Sequence, residues 1–177
     1  MMADYRNIEW AQAQMRAKAP VFGKPAGRGS GADWMDRCGA VAHITEPAAK
    51  ALLSLLIWPD RDWGQDGRCV VSALSSQMID ACIKHGRKNP RGDTGFTVPI
   101  LANRMAYMVM YMHLYGLYDD YSIKGRLKFA GIHMEVEAYQ RTWRQYEAAM
   151  LEQVKCWIAD ADYEIGEYRH AMNAESA

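Results

Sequence analysis

The chain has 177 residues and half of them are hydrophobic, so it can bury a sizeable core and is not a disordered chain. Its 21 Lys and Arg residues balance 21 Asp and Glu residues, which excludes the strongly basic composition that by itself indicates a nucleic-acid-binding protein. A neutral chain can still bind DNA where its charges are segregated. Whether DNA binding is plausible therefore depends on how the charges are distributed along the chain.

The N-terminal residues predict a helix followed by a linker. Residues 4–18 place apolar side chains on one helical face. Residues 19–31 contain four glycines and two prolines, a composition typical of a flexible linker. We therefore expect residues 1–32 to form a helix and a linker, and residues 33–177 to form a single helical domain.

Two short helices are predicted next. Asp33 is a candidate N-cap for a helix that ends near His43. Thr45 is a candidate N-cap for the following helix, in which Pro47 lies in the first turn, where its missing N–H has no cost. That helix, over residues 48–58, is apolar on nearly all sides, so we expect it in the core.

The middle of the chain predicts two longer helices with a basic segment between them. Helical spacing over residues 69–85 leads into an irregular stretch rich in Gly and Arg. A basic cluster lies here, formed by Lys84, Arg87, Lys88 and Arg91. The next helix begins at Thr97 and Pro99, repeats apolar residues at spacings of three and four, and is expected to end at Gly116 in a left-handed conformation.

A helix-turn-helix pattern occupies residues 119–158. A short helical pattern over 120–130 is followed by a break at Gly131, Ile132 and His133, and then by a long amphipathic pattern. Gly131 tolerates the positive φ of a tight turn. The spacing predicts a short helix packed against a long one.

The long pattern after the break is the strongest periodic signal in the chain. Its apolar residues keep three-four spacing over about six turns: Val136, Tyr139, Trp143, Tyr146, Met150, Val154 and Trp157. This spacing is close to a heptad repeat, so the helix could supply the seam of a homodimer or could equally pack on its own bundle. Strand signals are nearly absent. The predicted fold class is therefore all-α, with a C-terminal helix-turn-helix and a long final helix.

Polar side chains of the helix-turn-helix are candidates for contact with DNA. Those outside the apolar faces are expected to meet phosphates or base edges: Lys124, Arg126, Lys128, His133, Gln140, Arg141 and Arg144. The basic cluster at 84–91 is a secondary candidate, because basic loops can follow a phosphate backbone or meet an acidic partner. The alternative interpretation is an ordinary helical hairpin whose cations are solvated.

This C-terminal region resembles phage late-gene antitermination proteins of the Q type. The resemblance covers residues 105–165 and is carried by the segments 111–116 and 122–127, by the Ala-Gly pair at 130–131, and by the long helix with Arg141, Arg144, Tyr146 and Met150. In outline the region is also similar to sigma-factor region 4 modules. Proteins of the Q type bind a DNA element near a late promoter and act on paused RNA polymerase, which then reads through terminators. The resemblance implies a DNA-facing set of Lys124, Arg126, Lys128, Arg141 and Arg144.

Other sites have weaker signals. Two Cys and His pairs could form a zinc site if the fold brought them together: Cys38, His43, Cys82 and His85. The pairs lie within helical patterns, whereas short loop-borne ligand pairs are commoner, so we expect no metal and no other cofactor. The glycines of 23–31 lack the strand and the Gly-Lys-Ser/Thr ending of a phosphate-binding loop. No catalytic motif is present, so we do not expect an enzyme.

Cysteine usage and hydropathy indicate the compartment. The four cysteines form no Cys-x-x-Cys motif and no regular disulfide spacing, so free thiols in a reducing cytoplasm are the simplest interpretation. The first residues lack an apolar signal segment, and the run 105–118 is too short to span a bilayer. We expect a cytoplasmic protein without a membrane partner.

The sequence therefore predicts a DNA-binding transcription regulator that acts on RNA polymerase. Both activities are binding, so no side chain needs to perform chemistry. The alternative is a phage-type helical interaction protein or inhibitor that binds a host protein without binding DNA.

Overall fold

The computed structural model describes residues 5–15, 34–58, 63–90 and 95–175. Within these ranges the chain forms eight helices and no strand, which confirms the all-α fold class. The helices are α1 (Arg6–Met15), α2 (Trp34–His43), α3 (Pro47–Ile57), α4 (Gly64–Lys84), α5 (Val98–Leu114), α6 (Ile123–Phe129), α7 (Val136–Thr142) and α8 (Arg144–Glu175). The predicted linker, the Asp33 cap and Arg91 lie outside the described residues. No described helix is long and apolar enough to cross a membrane.

The chain divides into two compact units. Among the described residues, the first comprises those up to residue 58 and those from residue 157 onward, and therefore contains α1 to α3 and the C-terminal part of α8. The second comprises residues 63–156, and contains α4 to α7 and the N-terminal part of α8. The predicted boundary after residue 32 lies outside the described residues and stays a prediction.

In the first unit, α3 is buried on nearly all sides, as its composition predicted. The prediction that Thr45 caps this helix is wrong. The backbone N–H and the hydroxyl of Thr45 bind the Glu164 carboxylate instead, at 2.9 and 3.2 Å. The Glu46 side chain caps α3 by accepting a hydrogen bond from the Ala48 N–H. Pro47 lies in the first turn, as expected.

Asp162 of α8 joins α1 to the same unit. Its carboxylate accepts hydrogen bonds from the backbone N–H groups of Asn7 and Ile8, at 3.0 and 2.9 Å. These two N–H groups lie in the first turn of α1, where a helix has no carbonyl partners of its own. A carboxylate there also meets the positive end of the helix dipole.

In the second unit, α4 packs against α5. Both helices bury most of the apolar residues that the three-four spacing identified: Leu74, Met78, Cys82, Leu101, Met105, Met108 and Met112. Two members of that spacing are not buried: Val71 is half-buried, with its neighbour Val70 in the core instead, and Tyr115 is exposed. The unbranched methionines fill this core closely, as expected for flexible thioether side chains. Helix α4 begins at Gly64, which is earlier than the predicted residue 69.

Three helices of the second unit end in the same way. Gly86, Gly116 and Gly131 follow α4, α5 and α6 with φ values of 60°, 65° and 64°. In each case the next residue donates its N–H to a carbonyl five residues earlier, at 2.8 Å, which is the long hydrogen bond of a Schellman motif. The predicted left-handed end at Gly116 is confirmed.

Candidate nucleic-acid interface

The helix-turn-helix region begins with a well-capped short helix. The Ser122 hydroxyl accepts a hydrogen bond from the Gly125 N–H at 3.2 Å, so α6 begins at Ile123 rather than at 120. Leu127 faces the core and is buried. Gly131 ends the helix with its positive φ, as predicted, and Ile132 is buried in the corner that follows.

The predicted long final helix is confirmed, but it begins at Arg144 rather than at residue 136, and a short helix precedes it. Helix α7 ends at Thr142, and α8 begins at Arg144. At the junction, Tyr146 donates its N–H to the Trp143 carbonyl at 2.9 Å, a tight contact between residues three apart. The break hardly changes the helical phase, so the apolar stripe continues through it with Tyr139, Trp143, Tyr146, Met150, Val154 and Trp157 all buried.

Burial of this stripe favours the second of the two alternatives, packing of the helix within its own chain. Its residues already lie in the interior of the single chain, with Met150 2 % exposed and Val154 fully buried. A homodimer would need a different surface.

A buried polar network fastens the corner. Glu147 is 1 % exposed and accepts hydrogen bonds from the Tyr118 hydroxyl at 2.6 Å, the Arg126 Nε at 3.0 Å and the Tyr139 hydroxyl at 2.9 Å. Arg126 also donates through Nη1 to the carbonyls of Tyr118 and Tyr121. We call Tyr118, Arg126, Tyr139 and Glu147 the Glu147 network. It ties α6, α7 and α8 together, since each supplies one member.

Arg126 is therefore not a DNA contact, and its inclusion in the predicted set is wrong. Its side chain is buried and is committed to Glu147, because a buried carboxylate needs a cation and hydrogen-bond donors to offset its lost hydration. Glu147 is not among the residues predicted from the sequence. One signal could have found it: Glu147 lies four residues after Trp143 and three before Met150, on the apolar face of the helix.

The two tyrosines of the network are held in their neutral form. Burial raises the pKa of Tyr139 above its usual range, and the charge and hydrogen bond of Glu147 raise it further. Burial likewise raises the pKa of Tyr118, again with a contribution from Glu147. Both hydroxyls thus remain donors to the carboxylate at neutral pH.

The remaining predicted contacts of this region are all exposed: Lys124, Lys128, His133, Gln140, Arg141 and Arg144. Lys124 and Lys128 lie one turn apart on α6, and Arg141 lies in the last turn of α7. Two carboxylates, those of Glu135 and Glu137, are also exposed near the start of α7. The corner thus presents cations and an amide together with two acidic groups.

The structure attaches the basic cluster to the start of α8. Lys84, Arg87 and Lys88 are exposed at the end of α4. The Arg87 Nε donates to the Tyr146 hydroxyl at 3.2 Å, and the His85 Nδ1 lies 3.0 Å from the same oxygen. Burial raises the pKa of Tyr146, while the hydrogen bond from Arg87 lowers it. The basic cluster thus contacts a tyrosine of α8 that lies 59 residues after Arg87, a link that the sequence did not indicate.

The zinc alternative gains no support. Among the described residues, no group of three or more His, Cys, Asp or Glu side chains is arranged to hold a metal ion. Cys82 is buried in the core, where burial raises the pKa of its thiol, and His85 contacts Tyr146.

Comparison with known proteins gave no match: no family model, no curated protein and no solved structure matches this chain. The candidate interface therefore rests on the side chains described above.

Proposed function

We propose that this protein is a DNA-binding regulator of transcription, and that α6, the turn after it, α7 and the first turn of α8 bind duplex DNA. One observation carries the proposal. The Glu147 network fastens α6, α7 and α8 to one another, while the cations that flank the corner remain exposed. A helix-turn-helix needs this combination, because the reading helix must be presented rigidly to the groove.

The exposed side chains divide by the contacts that their chemistry allows. Lys124, Lys128 and Arg144 are suited to phosphates, which position the protein without reading sequence. Gln140 and Arg141 are consecutive residues of α7, and their side chains are suited to base edges. An amide pairs with adenine and a guanidinium with guanine in the major groove, so these two residues would carry the sequence preference.

The sequence resemblance to Q-type antiterminators supports a further part of this proposal, that the DNA-bound protein acts on RNA polymerase in the cytoplasm. The experiment is transcription in vitro by purified bacterial RNA polymerase, on a template with a selected binding site upstream of a terminator. Readthrough that depends on the site and on the protein supports this part. Termination unchanged by the protein contradicts it and leaves the DNA-binding part standing.

Arg141→Ala and Arg144→Ala are expected to weaken duplex binding while the fold is kept, because both side chains are exposed. We expect about a tenfold loss of affinity for Arg141→Ala, and for Arg144→Ala a fall of about 1 in the slope of log affinity against log salt. The measurement is fluorescence anisotropy with a duplex selected from a random library, repeated over a range of KCl concentrations. Circular dichroism checks the fold.

Two further variants sharpen this test. Glu137→Gln should tighten duplex binding, because it removes an exposed carboxylate that repels phosphate. Lys155→Ala is the matched control, since Lys155 is an exposed cation of α8 paired with Glu152, away from the corner, and its loss should leave affinity unchanged. Equal binding by wild type, Arg141→Ala and Arg144→Ala would contradict the proposed surface. A wild-type protein that binds no duplex but binds an acidic host protein would favour the interaction-protein alternative.

A further inference from the structure

Five aromatic rings form a continuous cluster in the second unit. Tyr107 and Tyr111 of α5 and Tyr115, the residue that caps its C-terminus, are spaced four residues apart, so they lie on one face. Trp63, just before α4, and Phe129, the last residue of α6, lie beside this row. We call these five residues the aromatic ladder.

Every ring of the ladder has a partner within aromatic contact distance. The Trp63 ring lies 5.2, 5.6 and 6.5 Å from those of Tyr107, Tyr111 and Tyr115, measured between centroids. The Phe129 ring lies 6.4 Å from Tyr107 and 4.9 Å from Tyr111. Trp63 and Tyr115 are almost parallel, with 8° between their planes. The rings therefore hold one another in place before any ligand binds.

The ladder is unusually open for so many aromatic side chains. Tyr107 and Tyr115 are each 44 % exposed, and Phe129 is 41 % exposed. At one end, Gly64 and Gly116 follow Trp63 and Tyr115 in sequence. A Cβ added at either glycine would have no neighbour within 4 Å among the described residues. Apolar surface that is exposed and contiguous in this way typically marks a binding site.

Exposed cations lie close in sequence to residues of the ladder. They favour a ligand that carries negative charge as well as flat rings. Lys128 precedes Phe129 on α6, and Lys124 lies one turn earlier; both are exposed. Arg104 lies about one turn before Tyr107 on α5 and is exposed; its guanidinium lies over the Phe96 ring and donates a hydrogen bond to the Gly131 carbonyl. Rings bordered by cations match a chain that carries flat bases and regularly spaced negative charge.

We propose that the aromatic ladder binds single-stranded DNA, whose bases stack on the rings while Lys124 and Lys128 contact the backbone phosphates. This inference extends the proposed function, because it adds a second form of DNA to a protein proposed to bind duplexes. Stacking needs no particular base, since every base has a π-face, so the site tolerates different sequences. Helix α6 would then serve both surfaces, with its lysines between the duplex-binding corner and the ladder.

Anisotropy with a fluorescein-labelled oligo-dT tests the proposal on the full chain. We expect Tyr107→Leu and Tyr115→Leu each to weaken binding about tenfold, because each removes one stacking partner. Tyr107→Phe keeps the ring and should bind as the wild type does. Both tyrosines are substantially exposed, so the leucine variants should fold. Thermal unfolding of each variant verifies this.

The outcomes separate this inference from the proposed function. Arg141→Ala should lower duplex affinity and leave oligo-dT affinity unchanged. Tyr107→Leu should lower oligo-dT affinity and leave duplex affinity unchanged. If the wild type binds duplex but not oligo-dT, or if the leucine variants bind oligo-dT normally, the inference is overturned and the proposed function stands. If only oligo-dT binding is found, the proposed duplex surface fails and the ladder stands. Ladder-dependent binding of oligo-rU or a proline-rich peptide, without binding of oligo-dT, also overturns the inference.

Discussion

Arg126 and Lys128 show what sequence alone cannot decide at the scale of a residue. Both are cations on the same short helix, and a charge pattern treats them alike. Arg126 is buried against Glu147, whereas Lys128 is exposed. The difference depends on a carboxylate 21 residues further along the chain, which local spacing does not reveal. The exposed members of the predicted set could be identified from sequence, but the buried one could not be separated from them.

Removing Arg126 should therefore affect stability before it affects DNA binding. Arg126→Met leaves a buried carboxylate without its cation, and we expect the free energy of unfolding to fall by about 3 kcal/mol. Lys128→Met is the matched control on the same helix and should change stability by less than about 0.5 kcal/mol, since the side chain is exposed. Urea denaturation measures both. If Arg126→Met keeps wild-type stability but binds DNA more weakly, Arg126 contacts DNA and the structural role given to it here is wrong.

At the scale of elements, glycines in the sequence identified where helices end, but no local pattern identified the break between α7 and α8. Gly116 and Gly131 were identifiable because a left-handed residue at a helix end favours glycine. The break at Trp143 was not identifiable, because it preserves the hydrophobic phase on which the prediction depended. Thr45 was wrongly predicted as a cap because its hydroxyl binds Glu164, a residue 119 positions away that local sequence does not reveal.

The turn at Gly131 gives a prediction at this scale. Its φ is 64°, and a Cβ added there would meet the Arg104 Nη1 at 2.7 Å. We expect Gly131→Ala to destabilise the protein by about 1–2 kcal/mol, because L-residues with a Cβ are strained in this conformation. Gly131→Asn should cost less, since asparagine adopts it more readily. Chemical denaturation compares the two, and equal stabilities of wild type and Gly131→Ala would show that the turn can rearrange.

At the scale of the whole molecule, the all-α class and the methionine-rich core could be predicted, because they depend on periodicity that local sequence carries. The division into two units could not. It arises from contacts such as that between Asn7 and Asp162, which are 155 residues apart. Local composition does not indicate contacts over such a separation.

Global stability should fall at alkaline pH. The folded state raises the pKa of Tyr139 above its ordinary value of 10, so above that pH the unfolded chain loses a proton that the folded chain keeps. The stabilisation is fully present below pH 10 and is lost as pH rises, by about 1.4 kcal/mol per pH unit for this side chain. Urea denaturation at several alkaline pH values measures the slope. Tyr139→Phe should make it shallower, whereas Tyr163→Phe, which changes an exposed side chain, should not.

The first unit closes only when distant parts of the polypeptide meet, and this has a consequence for its biogenesis. Asp162 is translated 155 residues after the α1 backbone groups that it binds. At cellular rates of elongation this delay is roughly 8–30 s. During that interval α1 to α3 lack the C-terminal part of α8, which belongs to the same unit, so their contacts with it cannot yet form. Nascent chains of this protein should therefore depend on chaperones that shield the early helices.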